Sequence, residues 1–189
     1  MKELTKNEML KYLEEINIEL KNQDKFGEIV IAGGAALTLV FDARKSTQDI
    51  DALFAPTQDM RKIISNIAER HELPQDWLND GVKGFVTDKM KFNEILSYSN
   101  LSVSSMDAES LLAMKLIAAR VDTKDMPDSV FLMNALDIKN IEQVFEIMET
   151  YTQPKQQTIA SKYFAIEAFE QYQEKQKERP RAKEPPLLP

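Results

Sequence analysis

Two short apolar segments, one ending in paired glycines and one carrying paired aspartates, constrain the fold of this chain more than any other feature. The first covers residues 28–34 and ends in Gly33-Gly34; the second begins with Asp49-Ile-Asp51. Both have the composition of buried β-strands, and successive side chains of a strand point to opposite faces. Asp49 and Asp51 are therefore predicted to share one face of a strand.

Two carboxylates on one strand face repel each other, and burying them is unfavourable unless a cation compensates their charge. A hard divalent ion with oxygen ligands, Mg²⁺ or Mn²⁺, would resolve this conflict. The glycines have a complementary role, because backbone amides can approach a phosphate closely where no Cβ intervenes. Together the two segments predict a site for a metal ion and a nucleotide.

The composition excludes several classes of protein. The chain has 189 residues, of which 43% are hydrophobic, which is enough for one sizeable core. No stretch approaches the roughly 20 apolar residues of a membrane span, and the first residues lack the apolar segment of a signal peptide, so we expect no membrane partner. Cysteine is absent, which rules out disulfides and cysteine zinc sites and favours the cytoplasm.

The charge and the histidine content narrow the chemistry further. A formal net charge of −7 argues against a large nonspecific nucleic-acid surface, but it leaves room for a small basic groove that holds one RNA end. The single histidine, His71, is expected at a solvated helix end rather than in a catalytic role.

The periodicity along the chain predicts an α+β fold, with a small mixed sheet flanked by helices and a helical C-terminal part. Thr5 and Glu8 have the spacing of a capping box and predict an opening helix. Further elements are predicted as strands over 26–32, 49–54, 92–96 and 101–104, and as helices over 35–41, 107–120, 127–136, 140–151 and 158–177.

We expect three parts: an α/β core over residues 1–104, a helical part over 105–177 that completes the site, and a disordered tail over 178–189, where four prolines occur. In the last helix, an apolar stripe is expected to pack into the core. Its members are Tyr163, Ile166, Phe169 and Tyr172.

A lysine interrupts an otherwise apolar helical segment, residues 111–119. Such a helix should be buried, and a buried ammonium needs an anionic partner. Lys115 either extends to the surface along its alkyl stem, or it meets the aspartate pair or the nucleotide phosphates.

Residues 28–54 resemble the nucleotidyltransferase fold of the DNA polymerase β superfamily. The resemblance rests on Ala32-Gly-Gly-Ala-Ala-Leu-Thr-Leu39, followed by Arg44-Lys-Ser-Thr-Gln-Asp-Ile-Asp51. It is closer to the small prokaryotic branch that contains the AbiEii and MenT toxins. A second block, residues 109–128, is similar to the later Lys and Asp motifs of that branch.

The resemblance implies roles for particular residues. Asp49 and Asp51 would be catalytic and hold the metal, and Lys115 and Asp125 would complete the catalytic set. The expected nucleotide-binding residues are Gly33, Gly34, Arg44, Thr47 and Lys115. An ordinary surface position for Arg44 stays open.

The same resemblance implies a reaction and its partners. The enzyme would move a nucleotide from an NTP to an acceptor, which would be a tRNA or another RNA 3′ end, a protein hydroxyl or a small molecule. As the toxin of a toxin–antitoxin or phage-defence system, it would also have an antitoxin protein as its partner.

Two features leave the interpretation open. Asp125 and Asp128 would also suit the start of a helix, Asp125 as its N-cap. Relatives of polymerase β usually add a third carboxylate from a neighbouring strand, whereas residues 101–104 offer none. Glu94, Asp107 and Glu109 are imperfect candidates.

Two other functions compete with nucleotidyl transfer. A noncatalytic binding module would keep the fold and use its helical half for protein contacts. A metal-dependent phosphodiesterase would also use paired aspartates, although no histidine accompanies the pair here.

Overall fold

The computed structural model of the chain describes residues 3–118 and 124–178. The predicted tail over 178–189 lies outside these residues except for Glu178, which ends the last helix. In the described part of the chain, no helix combines the length and the apolar character needed to cross a bilayer.

The first helix begins where the sequence predicts. In α1, Lys6–Asn22, the Thr5 hydroxyl accepts a hydrogen bond from the Glu8 N–H, at 3.3 Å, and the Glu8 carboxylate accepts one from the Thr5 N–H, at 3.0 Å. This confirms the capping box, which satisfies two backbone donors that have no partner within the helix.

Five strands of the described residues form one mixed sheet, which confirms the predicted fold class. Their order across the sheet is β5-β4-β2-β7-β6. The central strand β2 pairs antiparallel with β4 and parallel with β7, so both of its edges are hydrogen-bonded to neighbouring strands. The strands are β2 (Gly27–Ile31), β4 (Ile50–Ala55), β5 (Leu78–Asn79), β6 (Phe92–Ser97) and β7 (Leu101–Met106).

Two further strands of two residues each pair antiparallel beside the main sheet. They are β1 (Leu4–Thr5), just before α1, and β3 (Ser46–Thr47), just before the aspartate pair. The sequence analysis missed both, and it also missed β5, because two residues carry no readable periodicity.

Helices pack beside the sheet and make up most of the described residues after β7. Helix α4 packs against α5, α6 and α7 and also contacts α2, so it joins the helical part to the part of the chain that carries the sheet. The predicted division at 104/105 stays a prediction, and β7 runs two residues past it. The remaining helices are α2 (Gly33–Leu39), α3 (Thr57–His71), α4 (Ala108–Ala118), α5 (Asp125–Ala135), α6 (Ile141–Tyr151) and α7 (Ile159–Glu178).

The apolar stripe of α7 is buried only in its second half. Phe169 and Tyr172 are 7% and 5% exposed, as expected. Tyr163 and Ile166 are 70% and 37% exposed, so the prediction that they pack into the core is wrong. A spacing of three residues falls short of a full turn at each step, so the side chains drift around the helix, and Tyr163 lies about half a turn from Tyr172.

Candidate active site

The aspartate pair lies at the edge of the sheet where β4 begins. Asp49 immediately precedes this strand and Asp51 is its second residue, while the intervening Ile50 is fully buried. The strand is fixed on both sides, because the Asp51 carbonyl accepts from the Ala32 N–H at 2.8 Å and the Ile50 N–H donates to the Trp77 carbonyl at 2.7 Å. The alternation along β4 therefore leaves both carboxylates half-buried on the face away from Ile50.

The paired glycines begin α2 and bring its backbone against the aspartate strand. Gly33 has φ +58°, and a Cβ there would lie 2.9 Å from Asp51 Oδ2. A Cβ on Gly34 would lie 2.7 Å from Thr47 Oγ1 and 2.9 Å from Arg44 Nη1. The sequence analysis explained the glycines by close approach to a phosphate; in the structure they make room for side chains of the chain itself.

The negative charge of the aspartate pair is poorly compensated. Burial raises the pKa of Asp49, and the nearby charges of Asp51 and Asp76 raise it further. Opposing them is the amide of Asn79, whose Nδ2 lies 3.4 Å from Asp49 Oδ2, a long hydrogen bond. The site thus holds two hard oxygen ligands, and its surroundings disfavour the ionised form of Asp49.

Such a donor set fits a divalent cation that keeps several water or phosphate ligands. Mg²⁺ is commonly held by one or two carboxylates together with substrate phosphates, rather than by a closed protein cage. Within residues 3–118 and 124–178, no group of three or more histidine, cysteine, aspartate or glutamate side chains is arranged to hold a metal. Asp49 and Asp51 therefore stand as a pair.

None of the three candidates for a third carboxylate joins this pair. Glu94 is exposed on β6. Asp107 accepts from the Ser110 N–H at 2.8 Å, at the start of α4, and Glu109 accepts from the Tyr151 hydroxyl at 2.5 Å. Both carboxylates are used in structural contacts outside the cleft that contains the pair.

Across from the aspartate pair, two cations and two carboxylates form a compact cluster, which we call the ion cluster. Lys115 Nζ lies 2.8 Å from Asp125 Oδ1 and 2.9 Å from Asp128 Oδ2. Arg44 Nε donates to Asp128 Oδ1 at 2.7 Å, and its Nη2 donates to the other oxygen of the same carboxylate. The ion cluster is nearly closed to solvent, since Asp128 is 5% exposed and the other three side chains are 13–14% exposed.

The ion cluster decides several alternatives that the sequence left open. Lys115 does not extend into solvent; it has the anionic partners that a buried ammonium requires, but they belong to α5 rather than to β4. Arg44 is not an ordinary surface residue. Asp125 is the first residue of α5 rather than its N-cap, a position that Lys124 occupies without a side-chain cap.

One cleft of about 670 Å³ connects the aspartate pair and the ion cluster. Every residue predicted for the site lines it, although the roles of these residues stay predictions. These residues are Gly33, Gly34, Arg44, Thr47, Asp49, Asp51, Lys115 and Asp125. His71 lies elsewhere, at the end of α3, where its Nε2 is 2.8 Å from Glu15 Oε2.

The sequence analysis missed other residues of the cleft. Asn79 lies in the cleft because β5 pairs with β4, and this pairing places Asn79 directly beside Asp51. Phe85 follows a short 3₁₀ turn, Gly81–Gly84, which has no periodic signal. The position of Met114 beside the site could have been predicted from the sequence, because Met114 directly precedes Lys115 on the same helix.

Comparison with known families identifies the family to which the chain belongs. Residues 7–177 match the family described as "Nucleotidyltransferase of unknown function (DUF6036)". The chain belongs to this family. The match spans nearly the whole chain, so the sheet, the cleft and the helical part all lie within the family's region. No curated protein and no solved structure shows significant similarity to the chain.

Proposed function

We propose that this member of the family transfers a nucleotide from an NTP to an acceptor hydroxyl, with a divalent ion held by Asp49 and Asp51. The observation that carries the proposal is the shared cleft: two poorly compensated carboxylates face the same 670 Å³ space as Lys115 and Arg44. Membership of a nucleotidyltransferase family supports this reading of the cleft.

The step forms one bond and breaks another. The acceptor hydroxyl oxygen attacks the α-phosphorus, the bond from that phosphorus to the bridging oxygen breaks, and pyrophosphate leaves with the electron pair. The hydroxyl proton passes to solvent water, because the described residues contain no group of three carboxylates arranged around a metal position that would supply a general base. When bound, Mg²⁺ or Mn²⁺ supplies neutralisation of the negative charge that develops on the phosphate oxygens.

The residues of this chain divide the remaining work. Asp49 and Asp51 would hold the ion through their carboxylate oxygens. Lys115 and Arg44 keep positive charge at the cleft wall while bound to Asp125 and Asp128, which fixes their orientation before substrate enters. Thr47 and the backbone of Gly33-Gly34 complete the polar wall. Such preorganisation lowers the reorganisation needed in the transition state.

We further propose an RNA 3′ end, for example of tRNA, as the acceptor, and a toxin role restrained by an antitoxin protein. The resemblance of residues 32–51 to the AbiEii/MenT-like branch supports this finer assignment. The net charge of −7 favours an acceptor that engages the cleft through one end rather than along an extended surface.

The test uses the full chain, each labelled NTP in turn, Mg²⁺ and total tRNA. We expect label to move from one NTP to RNA with the wild type, and a loss of at least about a hundredfold with Asp51→Asn, since one of two metal ligands is gone. Circular dichroism should show that Asp51→Asn remains folded. Transfer by Asp51→Asn at the wild-type rate is incompatible with the proposed metal role.

A noncatalytic nucleotide-binding module is the second candidate. The described residues contain no group of three carboxylates arranged to hold a metal, and Lys115 and Arg44 are paired within the protein; both observations favour the module. Binding of Mg²⁺-NTP without transfer to any tested acceptor would support the module over the enzyme.

A further inference from the structure

The lining of the cleft contains an apolar set besides the polar residues discussed above. The apolar members come from two places, the segment that follows β5 and one face of α4. They are Val82, Phe85, Leu111, Met114 and Ala118. The volume of about 670 Å³ falls in the range of sites that enclose a small organic ligand.

One face of α4 carries both a charged side chain and apolar side chains. Leu111, Met114, Lys115 and Ala118 have spacings of three, four and seven residues, so they lie on one face of the helix. Leu111 is fully buried, but Met114 and Ala118 are half-buried and border the cleft. The same helix face therefore presents an ammonium and, beside it, accessible apolar surface.

Phe85 supplies the aromatic part of the second apolar segment. It is half-buried and lines the cleft, yet it is not among the described side chains that pack on the hydrophobic core. No described ring lies against it. Val82, three residues earlier, is only 3% exposed and anchors the segment to the core. A half-buried aromatic ring on an anchored segment, with no described ring stacked on it, can offer a face to a ligand in the cleft.

We infer that Phe85, with Met114 and Ala118, binds the nucleobase of the NTP whose phosphates lie at Asp49 and Asp51. The inference rests on the proposed function, and it adds a base subsite to the metal and phosphate positions. A base has a flat π-face that stacks on aromatic side chains, and a methionine sulfur also packs well against rings. Stacking of this kind accepts every base, so the subsite contributes affinity rather than strong base selectivity.

The experiment separates the base from the phosphates by using tripolyphosphate as a probe that lacks a base. Dissociation constants for ATP, GTP, CTP, UTP and tripolyphosphate are measured by calorimetry at fixed Mg²⁺. The wild type should bind at least one NTP about tenfold or more tightly than tripolyphosphate. Phe85→Ala should lose that advantage and leave tripolyphosphate binding unchanged.

Two control variants frame the measurement. Phe85→Tyr keeps an aromatic face and should retain the advantage of the NTP. Phe26→Ala removes a 53% exposed phenylalanine that precedes β2, outside the cleft, and should bind both probes as the wild type does. Because Phe85 lies outside the core packing, Phe85→Ala should remain folded, which thermal melting checks.

The outcomes distinguish this inference from the proposed function. Equal binding of NTP and tripolyphosphate by the wild type, or an undiminished advantage in Phe85→Ala, overturns the base subsite alone. Binding of tripolyphosphate at fixed Mg²⁺ that is undiminished in Asp51→Asn overturns the metal role and leaves the base subsite standing. A wild type that binds neither probe overturns both.

Discussion

The two sides of the cleft handle charge in opposite ways. On the sheet side, Asp49 and Asp51 lie near each other's charge, the nearest cations of the cleft are paired with other carboxylates, and burial raises the pKa of Asp49. On the helical side, the ion cluster matches two cations with two carboxylates. Neutralising a carboxylate should therefore raise the free energy of unfolding on the sheet side and lower it on the helical side.

The difference teaches which side is built to receive a ligand. A buried ion pair needs no external partner once its geometry is complete, and its removal leaves an uncompensated charge. A pair of like charges is unfavourable by itself and becomes favourable when a cation arrives. The sheet side is thus the receptive one, while the helical side holds Arg44 and Lys115 where the ligand will need them.

The largest expected effect comes from breaking the ion cluster. Asp128→Asn removes the carboxylate that Arg44 and Lys115 share, and it should lower the free energy of unfolding by about 3–5 kcal/mol in urea denaturation. The matched control is Asp42→Asn, where an exposed pair with Lys6 is lost and a change below about 1 kcal/mol is expected. Equal losses in the two variants would mean that the ion cluster has no special role.

The next largest effect is the stabilisation of the folded protein when Mg²⁺ binds to Asp49 and Asp51. Mg²⁺ at a hundredfold excess over its dissociation constant should raise the free energy of unfolding of the wild type by about 2.7 kcal/mol. The rise should vanish in Asp51→Asn and persist in Asp128→Asn, measured by thermal melting at constant ionic strength. If the stabilisation by Mg²⁺ instead disappears in Asp128→Asn, the ion binds at the ion cluster and not at the aspartate pair.

A smaller effect tests how tightly the glycine turn is fitted to the aspartate strand. Gly33→Ala introduces a Cβ at φ +58°, 2.9 Å from Asp51 Oδ2, and should lower the free energy of unfolding by about 1–2 kcal/mol. It should also weaken Mg²⁺ binding, because the Asp51 carboxylate must move. Gly84→Ala is the control: nothing lies within 4 Å of its added Cβ, so stability and Mg²⁺ binding should stay near the wild-type values. Identical behaviour of the two variants would show that the turn tolerates a side chain.

Sequence reasoning succeeded where the signal is local. The capping box of α1 uses two residues three positions apart, and the common face of Asp49 and Asp51 follows from the alternation of one strand. The mixed sheet followed by helices was also readable, because each long element carries its own periodicity.

It failed where the answer depends on distant partners. Arg44 and Asp128 are 84 positions apart, and nothing near either residue in the chain indicates that they pair. For Lys115 the sequence required an anion but did not say which one. The α7 stripe failed for a local reason instead, because nine residues are about two and a half helical turns and Tyr163 therefore lies opposite the buried Tyr172.

The smallest predicted effect has the opposite sign and is the sharpest test of the comparison. Because burial and neighbouring charges raise the pKa of Asp49, keeping it ionised at neutral pH weakens the folded state relative to the unfolded chain. Asp49→Asn removes that charge at nearly constant shape, and its amide oxygen can still accept from Asn79. Without metal, the free energy of unfolding should rise by up to about 1 kcal/mol, the scale of partly solvated charge pairs, while the stabilisation by Mg²⁺ is lost. Urea denaturation with and without Mg²⁺ measures both changes, with Asp42→Asn as the exposed control. A loss of stability in metal-free Asp49→Asn would contradict the comparison. Neutralising Asp49 would then have the same sign of effect on folding as neutralising Asp128, and a ligand-binding carboxylate could not be distinguished from a structural one.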